Sequence, residues 1–520
     1  MNGADALIRT FADCGVRACF ANPGTSEMHL VAALDREPRI RSILCLFEGV
    51  ASGAADGYAR MAGRPAMTLL HLGPGYLNGA ANLHNARRAF VPTINVIGDH
   101  ATYHRHLDAP LTSDIEALVA PLAAWTGVAG TSAEAGAKAV AAYAASFGPP
   151  AGNAFLLLPA DAAWSDGGEA ATPLTVPVRR PIENVDAVAR AIKAARKPAI
   201  LVNGDALLEP GLTHAARLHA AGIAVFSDTF ATRQRRGGAH FSPLRLPYFG
   251  EQALETLNGV DLLVTAGTKP PVAFFAYPGK PSELTPEGAE GLSLGGPEIS
   301  SATALEALAE ALRLPPARAP ADPAAIAAAA TASARPSVPS GPLTPEAIGC
   351  TLARHLPDDC IVADDSVTAG LAIFPPTASA APHDWLFHTG GAIGQGLPMA
   401  VGAAVAAPGR KVIAICGDGA AMYTVQSLWT MAREKLDITV VVVANHLYRI
   451  LMFELARTGA GNPGAAATSM LSLANPALDW VKMAEAHGVE AVRAERAEEF
   501  DRECARVVAQ PGPTLIEAVV

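Results

Sequence analysis

Charged and aromatic side chains are both scarce in this 520-residue chain. Asp, Glu, Lys and Arg make up 17% of it and aromatics 6%, against 50% hydrophobic residues. So apolar a balance excludes global disorder and leaves material for several packed cores. The net charge is −10 and no basic stripe is visible, which argues against a nucleic-acid partner. Long apolar runs are also missing. The longest aliphatic stretch, Ile438 to Ala444, falls far short of the roughly 20 residues a membrane helix needs. The opening Met1-Asn2-Gly3-Ala4-Asp5 lacks the basic head and apolar core of a signal peptide. Cysteine is sparse and scattered (Cys14, Cys19, Cys45, Cys350, Cys360, Cys416, Cys504), with no CxxC pair. Several sit in apolar runs, so buried free thiols in a reducing cytoplasm are expected.

What is present is alternation. The length suits about three ordinary domains. In the first part, Asp5 to Cys14 reads as helix, Arg17 to Ala21 as strand, and a helix starts near Ser26. Ile43 to Phe47 reads as a buried strand, Val50 to Met61 as a small-residue helix, and Ala66 to Leu70 as a strand. Leu77 to Ala89 follows as helix and Thr93 to Ile97 as strand. Strands alternating with helices of this length imply α/β architecture, a parallel sheet covered on both faces. Ser165 to Pro181 is polar and carries Gly and Pro, as a linker does. Beyond it Ala199 to Val202, Ile223 to Phe226 and Asp261 to Ala266 form a second α/β set. The Ala/Pro/Ser-rich Pro315 to Pro342 reads as a second linker. Thr344-Pro345-Glu346 then caps a third unit with strands at Cys360 to Ala363, Val412 to Cys416 and Thr439 to Ala444. The expected domains are 1–165, 182–314 and 343–520.

Two distant motifs carry chemistry. The strand Val412 to Cys416 runs into Gly417-Asp418-Gly419-Ala420, and a helix is expected from about Ala421 to Lys435. In open α/β sheets ligands bind beyond the carboxyl ends of strands. Glycines there let backbone approach phosphate oxygens, and a helix N-terminus offers free N–H groups to an anion. Asp418 is a hard oxygen ligand suited to Mg²⁺, and Asn445, closing the next strand, supplies an amide oxygen. The Leu447 carbonyl is a third candidate, and phosphate oxygens and water complete an octahedron. A bare Gly-Asp-Gly is more often a turn; the flanking strand and helix, and Asn445, favour the metal site. The second motif is Leu46-Phe47-Glu48-Gly49. Glu48 is a lone carboxylate where an apolar strand meets a helix, and Gly49, Ala51, Gly53 and Ala54 are expected to admit a cofactor.

Taken with Asn22-Pro23-Gly24-Thr25, Gly73-Pro74-Gly75 and Gly390-Gly391-Ala392-Ile393-Gly394, in that order along the chain, these motifs resemble those of thiamine diphosphate (ThDP) enzymes acting on 2-oxo acids. The chain is similar to the acetolactate synthase large subunit and to benzoylformate decarboxylase over both outer domains and, more loosely, the middle one. The resemblance implies three doubly wound parallel-sheet domains: pyrimidine-binding, central and diphosphate-binding. It implies that Glu48 hydrogen-bonds the aminopyrimidine and so activates the thiazolium. The Gly391 carbonyl would accept from that ring, and Ile393 would be the wedge that bends ThDP. Gly417, Asp418, Gly419, Ala420, Asn445 and Tyr448 would complete the cofactor site, with Asp418, Asn445 and Leu447 holding Mg²⁺. Ser366 and Thr368 would touch the diphosphate. Two subunits would enclose each cofactor, so a homodimer or homotetramer is implied. Ala444-Asn445 replaces the family's frequent Asn-Asn pair but keeps the usual ligand.

At the substrate end, His71 closes a strand before Leu72-Gly73-Pro74-Gly75 and suits a proton relay. By the resemblance, His71 matches a histidine and Thr25 a serine of benzoylformate decarboxylase. His100, His104 and His106 are clustered without zinc-site spacing. Phe274-Phe275-Ala276-Tyr277 stands where the decarboxylase has its second histidine, and Pro110-Leu111 where the synthase has Phe-Gln. Phe274, Phe275, Tyr448 and Leu451 are candidates for an apolar pocket. The expected activity is decarboxylation of a 2-oxo acid, followed by protonation of the product or its ligation to a second carbonyl, as in acetolactate synthase. The alternatives are a benzoylformate-decarboxylase-like lyase and a non-catalytic cofactor-binding homologue. Asn203-Gly204-Asp205 and Gly267-Thr268-Lys269 are weak as a flavin signature, so FAD is not expected. No GxGxxG follows the first strand, which disfavours a dinucleotide dehydrogenase.

Overall fold

The computed structural model describes residues 1–175, 179–316, 336–337 and 339–520. The linker expected over Pro315 to Pro342 falls outside the described residues apart from its two ends. Three sheets organise the rest. The first is wholly parallel: β1 (Ala18–Ala21), β2 (Arg41–Leu44), β3 (Met67–His71), β4 (Thr93–Asp99), β5 (Ala123–Val128) and β6 (Asn153–Pro159), in the order β2-β1-β3-β4-β6-β5. Its central strands are buried on both faces, as β4 shows over its whole length. The middle sheet contains β7 (Pro198–Val202) and β8 (Ala224–Ser227). A strand from the same stretch of chain, β9 (Arg233–Arg236), leaves it. β10 (Leu244–Arg245), β11 (Leu262–Ala266) and β12 (Glu290–Ser293) complete the order β10-β8-β7-β11-β12. The third sheet holds β13 (Cys360–Asp365), β14 (His383–Phe387), β15 (Val412–Gly417), β16 (Ile438–Ala444), β17 (Glu490–Ala494) and β18 (Thr514–Val519). Its order is β17-β18-β16-β15-β13-β14-β9, and β9 alone runs antiparallel. The expected α/β class with three parallel-dominated sheets is therefore observed.

β9 sews the middle unit to the third. Its Arg233 and Arg235 and the neighbouring Arg410 converge on the buried Asp384 of β14, at 2.8, 3.4 and 2.6 Å. Burial works against the Asp384 charge, but Arg233 and Arg410 outweigh it and hold the carboxyl below its ordinary range. Arg236 lies over the Phe374 ring, 3.5 Å from its centroid.

The first unit is joined to the third by helix on helix. Gly57 on the Glu48–Ala62 helix faces the backbone of Met399, and Gly402 on the Gly396–Ala406 helix faces that of Ala54. A Cβ at either glycine would lie within 2.1 Å of a backbone oxygen, so the two helices touch at backbone distance. This corrects the expectation for the small residues: Gly53 meets Pro398 and Asn82, so it admits a neighbouring helix rather than a cofactor. One buried guanidinium links all three units. Arg60 pairs with Asp56 at 2.7 Å and donates to the carbonyls of Phe387 and Thr232 at 2.7 and 3.0 Å.

Two expected boundaries shift. The strand read as ending at Phe47 stops at Leu44. Phe47 is extended and folds its ring over Gly49, and the helix begins at Glu48 itself. The helix expected from Ala421 to Lys435 is broken into Asp418–Ala421, a 3₁₀ turn Met422–Thr424 and Ser427–Glu434. Thr424 donates its hydroxyl to the Gly394 carbonyl, which ties that turn to another loop.

Candidate active site

Two clusters of polar residues stand at the carboxyl ends of the outer sheets. The first belongs to the N-terminal sheet. Glu48 opens its helix, where the free N–H groups favour a negative charge, and is 6% exposed. Asn78 donates to its Oε2 at 3.0 Å. His71 is the last residue of β3, with 22% of its side chain exposed. Gly75 lies between the two, its Cβ direction facing both His71 Cβ and Glu48 Oε1. Thr25 is exposed and opens the short turn Thr25–Glu27. The sequence reading passed over the two residues after it. Glu27 is 0% exposed and meets His71 Nδ1 at 3.0 Å, while Ser26 Oγ lies 2.9 Å from the same nitrogen. His100 stacks near His104 at 5.3 Å between centroids, and its Nε2 is buried without a partner. His106 lies in the exposed turn Arg105–Leu107. Among the described residues no group of three or more His, Cys, Asp or Glu side chains is placed to hold a metal.

The second cluster belongs to the C-terminal sheet. Asp418 follows β15 and is 2% exposed. Its oxygens accept from the Gly419 N–H at 2.9 Å and the His446 N–H at 2.7 Å. Burial pushes its carboxyl above the ordinary value, against those two N–H groups. Asn445 leaves β16 and turns its Oδ1 to the Leu447 N–H at 2.9 Å; the Leu447 carbonyl accepts from Arg449 at 2.8 Å and keeps a second lone pair. A buried carboxylate with His446 Nδ1 3.9 Å away, beside two further oxygen donors, is a set that fits a small hard cation. Space exists for an anion too, because a Cβ at Gly417 would meet nothing within 4 Å. Gly419 is roofed by the Tyr448 ring. Ser366 donates its hydroxyl to Asp364, and Thr368 is half-buried.

The loop bearing Gly391 and Ile393 is clamped from both sides. Asn85 takes Ala392 through both backbone atoms, at 2.8 and 3.2 Å, and His84 Nε2 meets the Gly390 carbonyl at 3.0 Å. Asp365 accepts the N–H groups of Gly394, Gln395 and Gly396 at 2.8, 2.9 and 3.2 Å. Gly391 has φ +84°, and a Cβ there would lie 2.7 Å from the Phe274 ring. Phe274 packs on Phe275, Phe230 and Tyr248 with centroids 4.8, 5.2 and 5.4 Å apart. The structure thus brings Phe274 and Phe275 to Gly391 and Tyr448 to Gly419. Leu451 lies exposed on the Arg449–Arg457 helix.

Three of the nine left-handed non-glycine residues among the described residues lie here. Leu72 after His71, Val367 between Ser366 and Thr368, and His446 after Asn445 have φ of +47°, +51° and +54°. Each costs about 1–2 kcal/mol and persists where surrounding structure fixes it, as at ligand sites.

In the middle unit Asp205 occupies the N-terminus of the Ser301–Ala311 helix, accepting from Ser301 and the Ala302 N–H at 2.7 and 3.0 Å. Among the described residues no helix is long and apolar enough to cross a membrane.

Residues 1–118 match the family model of the thiamine pyrophosphate enzyme N-terminal TPP binding domain, and residues 371–518 that of the C-terminal TPP binding domain. A Mycobacterium tuberculosis protein provisionally named acetolactate synthase large subunit IlvX is 50% identical over 100% of this chain and 99% of its own. Benzoylformate decarboxylase of Pseudomonas aeruginosa is 28% identical over 97% of this chain and 96% of its own. The solved structure of the Rhodococcus jostii 4-hydroxybenzoylformate decarboxylase superposes with a TM-score of 0.83 at 23% identity, covering 99% of this chain and 98% of that one.

Proposed function

The chain belongs to the thiamine pyrophosphate enzymes, a ThDP-dependent enzyme related to acetolactate synthase and benzoylformate decarboxylase, and from that premise we propose that it decarboxylates a small 2-oxo acid and protonates or ligates the product. ThDP, when bound, would supply the carbanion and electron-sink chemistry that decarboxylation of a 2-oxo acid needs. The chain supplies the rest. Glu48 hydrogen-bonds the aminopyrimidine, and Asn78 keeps its carboxylate aimed. The Gly391 carbonyl and Ile393 hold the ring end, and Asn85 and Asp365 hold that loop. Gly417, Asp418, Gly419, Ala420, Asn445 and Tyr448 receive the diphosphate end. Asp418, Asn445 and the Leu447 carbonyl hold Mg²⁺. His71, with Thr25 beside it, moves protons at the substrate. In this assignment residues 1–165 form the pyrimidine-binding unit, 182–314 the central unit and 343–520 the diphosphate-binding unit. FAD is left out because Asp205 fills the helix end where a nucleotide phosphate would sit.

One observation carries the reading: Glu48 and the Gly391 loop are held to the same helix at different positions along it. Glu48 meets the Leu72–Arg88 helix at Asn78, whereas the Gly391 loop meets it at Asn85. Seven residues of helix separate them by roughly 10 Å. Exposed apolar side chains border both, Leu46 and Leu77 on one side and Tyr423, Leu451 and Phe453 on the other. A second copy that joins each half to its complement answers both facts, so a homodimer or dimer of dimers is proposed. The seven buried free cysteines support a cytoplasmic setting.

The aromatic group at Gly391 favours a second reading, a decarboxylase of aryl 2-oxo acids. Product NMR with ThDP, Mg²⁺ and either pyruvate or benzoylformate separates the two. Acetolactate from pyruvate supports the synthase reading, and benzaldehyde from benzoylformate the decarboxylase. Tight ThDP binding without turnover of any 2-oxo acid would leave a non-catalytic homologue.

A further inference from the structure

A carboxylate that the sequence reading passed over lies against the histidine it singled out. Glu27 is fully buried, and among the described residues no Lys or Arg pairs with it. Its Oε2 accepts the Gly24 N–H at 2.7 Å, its Oε1 accepts the Ser26 hydroxyl, and His71 Nδ1 stands 3.0 Å from Oε2. The packing leaves Glu27 nowhere else to go. A Cβ on Gly98 would collide with Oε1, and one on Gly24 would enter the His71 ring.

Hydrogen-bond accounting assigns the proton. An ionised carboxylate only accepts, so His71 Nδ1 must donate to it. Ser26 has given its single proton to Glu27, so the Ser26 oxygen 2.9 Å from Nδ1 can also only accept. Both neighbours therefore require Nδ1–H. That leaves the lone pair of the neutral ring on Nε2, which has no hydrogen-bond partner among the described residues, in a side chain that is 22% exposed.

We propose that Glu27 is a positioning residue of the site: it fixes His71 in the Nδ1–H form and aims the Nε2 lone pair at the reacting substrate. This rests on the reading of His71 as the proton relay. In the relay one proton arrives at Nε2 from the substrate side and the same proton leaves from Nε2. The Nδ1 proton stays on its bond to Glu27 throughout, so Glu27 is neither protonated nor consumed. An ordinary turn cap would explain the Gly24 contact but not the imidazole. A buried carboxylate that orients a histidine in this way controls rate through the tautomer rather than through binding.

The Glu27→Gln variant separates the two roles. The amide oxygen in the Oε2 place still caps Gly24, whereas the amide nitrogen in the Oε1 place donates to the Ser26 oxygen; Ser26 then turns its own proton to Nδ1, 2.9 Å away, and the ring proton moves to Nε2. Solid-state ¹⁵N NMR of histidine-labelled protein, with His71→Asn subtracted for assignment, reads the protonated nitrogen directly. Kinetics with pyruvate and benzoylformate read the consequence. The expected result is Nδ1–H in the wild type, Nε2–H in E27Q, and kcat lowered about 10- to 1000-fold with KM within about threefold. Glu27→Asp, which keeps the acceptor, should restore the Nδ1–H signal and part of kcat. Three results would overturn the proposal: Nε2–H in the wild type, an unchanged tautomer in E27Q, or a switched tautomer with unchanged kcat. Should E27Q not fold, the wild-type spectrum and E27D decide. Should no 2-oxo acid be turned over, the activity reading fails, and the spectra of the wild type and E27Q still decide the tautomer.

Discussion

The two half-sites solve the same problem in opposite ways. At the end of the N-terminal sheet, side chains hold side chains: Asn78 on Glu48, Glu27 and Ser26 on His71. At the end of the C-terminal sheet, backbone does the holding. Asp418 and Asp365 are gripped by N–H groups, and the loop to Gly396 is shaped by glycines at φ +84° and +94°. In the first half Glu48, Glu27 and His71 Nδ1 all have hydrogen-bond partners, while His100 Nε2 has none. The second leaves Asp365 Oδ1, His388 Nε2 and His446 Nδ1 buried without hydrogen-bond partners among the described residues. The difference teaches which half is complete before a ligand arrives. The N-terminal half carries reactive groups pre-aimed by neighbours, while the C-terminal half is a cradle with polar capacity to spare.

The sharpest way to break this comparison is to neutralise the aimed carboxylate. Glu48→Gln keeps the volume and the Asn78 contact, so the melting temperature should stay within about 2 °C. Turnover should fall by roughly a thousandfold or more, because an amide can accept a hydrogen bond but carries no charge to stabilise or take up the aminopyrimidine proton. Retained turnover would show that the N-terminal half is not the activating half. Steady-state assays beside a thermal melt decide it.

Next in size is the weld beneath the C-terminal half. Asp384 is buried against three arginines, and removing it strands their charge, so Asp384→Ala should cost about 3–5 kcal/mol in a denaturant titration. The pH dependence has a fixed sign. The folded carboxyl is held below its unfolded value, so its contribution is present above the unfolded pKa and lost as pH falls through the lowered folded one. Wild-type stability should drop over that acid window, and the variant should lose this part of the slope. A variant as stable as the wild type would mean that the β9 seam carries no weight.

These positions also show what a sequence can and cannot disclose. Glu48 and Asp418 were legible because each is a lone acid where an apolar strand meets glycine, a pattern complete within a few residues. The three-sheet α/β class was legible for the same reason, from strands and helices alternating at short range. Glu27 was not, since its meaning depends on His71, 44 residues away. β9 was hidden more deeply. Arg-Gln-Arg-Arg has no apolar alternation, and it becomes a strand only because Asp384 neutralises it and Phe374 receives Arg236. The role of the small residues after Glu48 was misread because helix-against-helix packing and cofactor access call for the same residue types.

A smaller effect tests the cradle. Gly391→Ala forces a side chain into a left-handed backbone and against Phe274, at a cost of about 1–2 kcal/mol. ThDP affinity, followed by fluorescence titration in Mg²⁺, should weaken about tenfold, with little change in the Glu48 half. An unchanged affinity would free the Gly391 loop from the cofactor site.

The smallest expected change bounds the first half-site. His106 stands on an exposed turn, whereas His71 is locked to Glu27. His106→Ala should leave kcat/KM within about twofold, the ordinary scale of a surface substitution. A loss beyond tenfold would extend the aimed machinery past β3 to the turn after β4. The side of the site whose groups are aimed by neighbouring side chains would then be larger than Glu48, His71 and Glu27 define, and His100 Nε2, buried without a hydrogen-bond partner, would become the next group to account for.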